Sequence, residues 1–465
     1  MKKNILIFLG LITSCYALIS FNSGCAQIGF PTGGARDSLA PVLSKASPEN
    51  YRTNFTGNKI TLSFDEYIEI KDLQSNLLVS PLPKNNPSIN SNLKTISIKL
   101  KDSLKPNTTY SINFGDAIAD VHEGNVLKNF TYTFSTGSFI DSLQVKGKVL
   151  LAESGKPDST LLVFLYRNAV DSEVISRKPD YVTKANSTGD FTFSNLPAAS
   201  FKIYALKDGD GGKTYNGKSE LFAFNDAEVN TAEPAIPVIL FAYAEEKSTT
   251  GNNPPPAAQK KPAEKKLKYN TSASAKLQDI LQPLQINFGS GLKLFDASKI
   301  IISDTNYRPL TNLLPGIDST RKQVSVKVNW QPETEYIVIL PKEAFQDSAD
   351  NFLEKTDTIR FTTKKLADYG SIVLRFKKID ITKHPVIQFL QSDAVKFSYP
   401  VTSTEWSNKL FTPGEYEVRI LYDTNNNGIW DPGDYKSKLQ PERAVSLPQR
   451  LNIKADWENE REIQL

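Results

Sequence analysis

Apolar and polar residues alternate in short runs along most of the chain. Examples are KITLSF (59–64), FTYTFST (130–136), TGDFTFSNL (188–196), FKIYALKD (201–208) and EYEVRILY (415–422). A period of two puts one face of an extended segment in a core and the other in water, so each run predicts a half-buried strand. No long stretch carries the 3.6-residue period of an amphipathic helix. SAKLQDILQPL (274–284) fits either one short helix or a strand edge. The pattern predicts an all-β chain built from sandwiches.

The pattern also repeats. Residues 104–137 and 330–364 both place Pro, Thr and Tyr at the opening of a strand: Pro106, Thr108 and Tyr110 against Pro332, Thr334 and Tyr336. Both continue into an acidic loop ending at Asn125 or Asn351 and close on an alternating strand, FTYTFST or DTIRFTT. Upstream, KITLSFDEYIEI matches LQINFGSGLKLF. A second pair is TGDFTFSNLPAASFKIYALKD (188–208) and NKLFTPGEYEVRILYD (408–423). The expected order is A-B-A-B, with A1 at 41–138, B1 at 139–245, A2 at 269–365 and B2 at 366–465. Between B1 and A2, residues 246–268 are rich in Pro, Lys and Ala without apolar periodicity, which reads as a linker. Two independently folding halves are expected on either side of it, with first proteolytic cuts between Lys247 and Lys266.

The A1 residues DSLAPVLSKASPEN, ITLSFDEYI, LKPNTTYSINFGDAIAD and YTFST resemble the bacterial Ig-like domain of the S-layer (SbsA-like) type, with its L-x-P-x-T-x-Y mark and its Asp-Gly-Asn mark. That resemblance implies a seven-stranded sandwich. A2 is a degenerate copy, with DSADN at the second mark. B1 resembles the carboxypeptidase-regulatory-like or transthyretin-like sandwich through VKGKV, TGDFTFSNLP and FKIYALKD. The opening CAQIGFPTGGARDSLAP and the module order resemble envelope lipoproteins of the Bacteroidota. Such a resemblance implies an envelope address and an architecture, and no activity.

The N-terminus gives that address its own support. MKK followed by NILIFLGLITSCYALIS is the charged start and apolar core of a signal peptide, here 1–24, with a tether at 25–40. Cys25 after Ser-Gly resembles a lipobox, although Asn22 stands where an aliphatic residue is usual; Cys15 in LITSC is the rival lipid site. Both cysteines lie in this segment, so the mature chain has no second thiol for a disulfide. The expected partner is therefore a membrane, through a lipid anchor. A net charge of only +4 is no footprint for nucleic acid.

Catalytic constellations are missing. His122 and His384 are the only histidines and fall in different modules. Asp65 and Glu66 are neighbours on a strand and point to opposite faces. KDGDGGKTYNGKS lacks the spacing of a phosphate loop. An envelope hydrolase is thus a remote alternative to a non-catalytic structural or binding role. A glycan-binding or adhesin role is the nearer one; its only aromatic candidates are Trp406, Trp430 and Trp457. Asp-Ser or Asp-Thr followed by a small or aliphatic residue recurs, as at Asp158 and Asp318, and resembles an O-glycosylation sequon; it is also an ordinary turn dipeptide.

One stretch carries ligand chemistry. In DTNNNGIWDPGD (423–434), Asp423, Asn425, Asn427, Ile429, Asp431 and Asp434 stand at positions 1, 3, 5, 7, 9 and 12 of a calcium loop, with Gly428 at the sharp turn. Short oxygen side chains at alternate places, plus one backbone carbonyl, suit a hard cation. The alternative is a polar Asn-Gly turn without metal. B1 has a weaker version with Asp208, Asp210, Asn216 and Ser219, in which Gly212 removes one ligand and Lys213 replaces the turn glycine. The loop is expected to be exposed, so that Asp423→Ala would cost little without metal.

Overall fold

The computed structural model describes residues 36–234, 236–246, 266–273, 276–311 and 313–465, with Gly10 and Thr13 from the N-terminal segment. Apart from Gly10 and Thr13, the segment expected to be a signal peptide lies outside the described residues, as do Cys15, Cys25 and most of the linker. The architecture is tandem β-sandwiches, and among the described residues separate cores are drawn from 55–134, 145–242, 267–361 and 372–463. Among the described residues, no helix is long and apolar enough to cross a membrane.

Alternation builds the A modules directly. In A1, Lys59–Phe64 pairs antiparallel with Leu43–Ser47 and Thr95–Lys99, and Ser88–Asn92 completes the sheet. Ile60, Leu62, Ile96 and Ile98 point inward and are fully buried. They meet Ile112 and Tyr132 from the antiparallel pair Thr109–Asn113 and Thr131–Ser135. A2 repeats the plan with Leu284–Phe288 between Tyr269–Thr271 and Gln323–Lys327, and with Glu335–Leu340 against Asp357–Thr363. The ambiguous 274–284 stretch supplies a two-residue strand, Leu277–Gln278, parallel to Asp357–Thr363.

The repeated marks have the same jobs in both copies. Tyr110 and Tyr336 each accept a backbone N–H through the phenol oxygen, from Lys105 at 2.7 Å and Gln331 at 3.1 Å. Thr108 and Thr334 each donate to the carbonyl of the preceding proline, at 2.8 Å in both. Asp120, fully buried, accepts from the backbone N–H groups of Glu123, Gly124 and Asn125 at 2.6, 3.1 and 2.6 Å. Asp347 does the same work in A2, accepting from Ala349 and Asn351 at 2.9 and 2.8 Å and from Ser290 Oγ at 3.0 Å. Asp350 takes a left-handed backbone there (φ 62°), as Gly124 does in A1 (φ 79°), so DSADN closes a turn one residue shorter than DVHEGN, at some steric cost.

Burial raises the Asp120 pKa, but the backbone donors of Glu123, Asn125, Gly124 and His122 outweigh it and bring it down to about 2. The free carboxyl titrates near 4. The ionised, hydrogen-bonded form therefore stabilises A1 fully above the unfolded pKa, and that contribution is lost as pH falls through the folded value. Asp120→Asn should lower the A1 unfolding midpoint at pH 7, and the gap to wild type should close between about pH 5 and pH 2. A gap independent of pH would contradict this account of the mark.

B1 and B2 share one topology. In B1, Leu143–Leu151 pairs antiparallel with Asp190–Leu196 and parallel with Val238–Ala242, the last strand of the module. In B2, Gly370–Lys377 pairs antiparallel with Glu405–Phe411 and parallel with Glu458–Gln464. The opposing sheets centre on Ser200–Leu206 and Gly414–Tyr422, which run into the two candidate loops.

The chain divides into two compact units, and the division differs from the expected halves. One unit holds A1; the other, from Asp141 to Leu465 with Ser80–Leu82, holds B1, A2 and B2. Within the second unit B1 and B2 share a face, which no periodicity reveals.

Candidate cation loops at the junction of the B modules

The strand Gly414–Tyr422 delivers Asp423 into the module with no exposed surface. Its carboxylate accepts the N–H of Asn427 at 3.1 Å and of Gly428 at 2.6 Å. The loop is thus not uniformly exposed, and its first residue is a buried anchor. Asn425 Nδ2 and Asn427 Nδ2 both donate to Asp431 Oδ2, at 2.5 and 2.6 Å. The side chains at positions 3, 5 and 9 therefore converge. A half-turn of each amide would present carbonyl oxygens at the same place. Ile429 donates its N–H to Asn427 Oδ1 at 2.8 Å, and its side chain is exposed.

Asp434 is drawn elsewhere. Its Oδ1 accepts the N–H and hydroxyl of Ser437, both at 2.6 Å, and its backbone pairs with Leu439. The residue that joins the loop instead is Glu442, 6% exposed. Its Oε1 accepts the N–H and hydroxyl of Thr424 at 2.7 and 2.8 Å, and its Oε2 accepts the Asp431 N–H at 3.1 Å. Trp430 Nε1 donates to the Glu442 carbonyl at 2.8 Å. Among the described residues, no Lys or Arg lies within ion-pair distance of Asp423, Asp431 or Glu442. Nor do three His, Cys, Asp or Glu groups gather as a metal cluster there; half of this donor set is amide.

The B1 loop has the same frame. Asp208 accepts the Lys213 N–H at 3.1 Å, Asp210 accepts the Gly212 N–H at 2.8 Å, and Asn216 Nδ2 donates to Asp210 Oδ2 at 2.9 Å. Glu220 accepts the N–H of Asn216 at 3.1 Å, as Glu442 does for Asp431. None of these contacts includes Ser219.

Past the B2 loop the chain docks on B1. Gly433 lies so close to Tyr243 that a Cβ would come within 2.7 Å of its Cζ, which only glycine avoids. Tyr435 then inserts among B1 aromatics, with ring centroids 5.0 Å from Phe222, 5.2 Å from Phe224, 5.9 Å from Tyr204 and 6.2 Å from Tyr215. Its hydroxyl donates to the Asp171 carbonyl at 2.7 Å, and its N–H donates to Glu245 Oε1 at 3.0 Å. Lys438 covers the ring at 3.9 Å and pairs with Asp171 at 3.1 Å. The buried Arg419 donates to Gln388 Oε1 at 2.7 Å and, across the junction, to the Glu153 carbonyl at 2.5 Å. Burial holds its pKa below the usual arginine range. The Ala444 N–H donates to the Ala152 carbonyl at 2.9 Å. A cavity of about 490 Å³ remains between the modules, lined by Leu151, Tyr243, Arg419 and Trp430 among others.

The other candidate groups stay apart. Trp406 packs against Tyr399 and Phe389 at 5.1 and 5.6 Å, and Trp430 is tied to Glu442. Trp457 alone of the three is widely exposed, at 63%. The three tryptophans therefore form no common aromatic platform. His122 and His384 belong to different compact units. At Asp158 and Asp318 the carboxylate accepts the N–H and hydroxyl of Thr160 and Thr320, so both motifs close local turns.

Residues 37–136 match the family model of the bacterial Ig-like domain, which covers A1. No curated protein matches the chain in sequence. Among solved structures, it is similar to the major pilin subunit BcpA of Bacillus cereus, at 9% identity over 70% of this chain and 99% of the pilin, with a TM-score of 0.17. It is also similar to the bacterial S-layer protein SbsC, at 11% identity over 91% of this chain and 54% of that one, with a TM-score of 0.16. Scores this low fix neither the arrangement of the modules nor their role.

Proposed function

We propose that the chain is a non-catalytic cell-envelope lipoprotein of the Bacteroidota type. Cys25 carries the lipid that holds it to the outer membrane, and the sandwiches form a structural or binding arm. In this reading Asp423, Asn425, Asn427, the Ile429 carbonyl and Asp431 hold calcium, with Glu442 tying the loop closed where Asp434 does not. The carrying observation is the convergence of the position 3, 5 and 9 side chains beside buried Asp423, immediately before the segment that docks on B1. Calcium there would fix the root of the docking arm and stiffen the B1–B2 pair. The Ig-like match over A1 supports the structural side of the reading.

The address is tested by mass spectrometry of protein extracted from native membranes. The N-terminal peptide should begin at Cys25 and carry acyl groups, and Cys25→Ala should be left unprocessed or released. Acyl mass on Cys15, or an unmodified N-terminus, would contradict the anchor.

A further inference from the structure

We propose that the cavity between B1 and B2 binds a small amphiphilic carboxylate, whose anionic head meets Arg419 and whose apolar body lies along the cavity walls. The site is independent of the cation loops and of the lipid anchor. Strand Gly414–Tyr422 alternates through the junction. Tyr416, Val418 and Ile420 enter the B2 core, so Glu417 and Arg419 take the opposite face, toward B1. Arg419 is 6% exposed. Its Nε donates to Gln388 Oε1 and its Nη1 to the Glu153 carbonyl, at 2.7 and 2.5 Å. Both acceptors are neutral, and among the described residues Nη2 has no acceptor.

A guanidinium keeps its charge at any ordinary pH, so burial does not let it neutralise itself. A buried charge is costly unless an opposite charge meets it. Among the described residues, no carboxylate lies within ion-pair distance of Arg419. Of the acids that line the cavity, Glu417 is held by Lys156 at 2.7 Å and by Arg450 at 2.9 Å. The Asp393 side chain is 88% exposed and faces Lys156 at 3.5 Å. Glu153 gives Arg419 its carbonyl, and the residue is otherwise exposed. An anion from outside the chain is the partner that this charge calls for. The space beside it is about 490 Å³, within the range of small-molecule sites. Leu151, Leu221 and Tyr243 of B1, with Leu390, Trp430 and Leu447 of B2, give it mainly apolar walls. Such walls suit a hydrocarbon or aromatic body and do not suit a bare inorganic anion.

The test is isothermal titration of the full mature chain with octanoate and, separately, with its neutral counterpart octanol. Octanoate should bind saturably and at least about tenfold tighter than octanol, since only the carboxylate forms charge-assisted bonds. Arg419→Met removes the charge and keeps an apolar stem. It should weaken octanoate by about 10- to 100-fold and leave octanol little changed. Melting curves verify that it folds. Leu447→Trp narrows the cavity and leaves the guanidinium in place. It should weaken both probes, and it locates the site even if Arg419→Met does not fold. Four results would each overturn the proposal: no saturable binding of octanoate, equal affinity for octanol, a folded Arg419→Met that keeps the preference, or a Leu447→Trp that binds both probes as wild type does.

Discussion

Tyr435→Ala should be among the most destabilising single changes in the second compact unit. The side chain is 5% exposed, although it belongs to a loop of B2, because B1 supplies its surroundings. Truncating a buried aromatic costs about 3–5 kcal/mol, through lost burial and the cavity left behind. Tyr435→Phe keeps the ring and loses the bonds to the Asp171 carbonyl and the Tyr204 hydroxyl, at about 0.5–1.5 kcal/mol each. Urea unfolding of the mature chain measures both. If B1 and B2 were beads on a string, Tyr435→Ala would behave as a loop substitution and cost below about 0.5 kcal/mol. The docked arm also predicts that Tyr435→Ala exposes 433–441 to proteolysis before B2 itself unfolds.

The A modules were largely legible because each repeated letter has a local job. Tyr110 and Tyr336, Thr108 and Thr334, and Asp120 and Asp347 bond to backbone nearby in sequence or on the paired strand, so spacing alone exposes them. The B modules were less legible. The closing strand of B2, Glu458–Gln464, is charged or polar at all but one place, and only Ile463 is buried, so alternation does not flag it. The B1–B2 face was invisible because Tyr435 stands alone in a polar stretch, and its partners Glu245 and Asp171 lie 190 and 264 residues earlier. In the loop, spacing placed Asp423, Asn425, Asn427 and Asp431 together, and the structure brings those four side chains into one network. Spacing also nominated Asp434, but a turn at Ser437 draws it off. Glu442 lies beyond the twelve-residue frame, and only the return of the chain to Arg443–Ser446 brings it back.

Asp423→Ala should be costly even without metal, contrary to what an exposed loop would give. The carboxylate is fully buried, and its loss leaves the N–H groups of Asn427 and Gly428 without their acceptor. Each orphaned donor costs about 1–3 kcal/mol. Asp431→Asn is the companion variant. It keeps the size of a partly exposed side chain, so its metal-free cost should stay below about 1 kcal/mol, while it removes the charge on which Asn425 and Asn427 converge. On the calcium reading proposed above, the pair separates two roles: Asp423 would build the loop and bind, whereas Asp431 would mainly bind. Equal metal-free stabilities for the two variants would show that the Asp423 carboxylate is not the anchor its burial indicates.

The most direct measurement is the thermal unfolding of the mature chain as calcium rises from chelator to about 10 mM. A ligand held only by the folded state stabilises by mass action. With dissociation constants of about 10⁻⁴ to 10⁻³ M, the gain at that concentration is about 1.4–2.7 kcal/mol. The account predicts that the transition of the unit holding B1 and B2 moves to higher temperature, that A1 does not move, and that magnesium does much less because it demands tighter octahedral geometry. A B1–B2 transition that stays fixed across the titration, or moves equally with magnesium, would contradict the calcium-held junction.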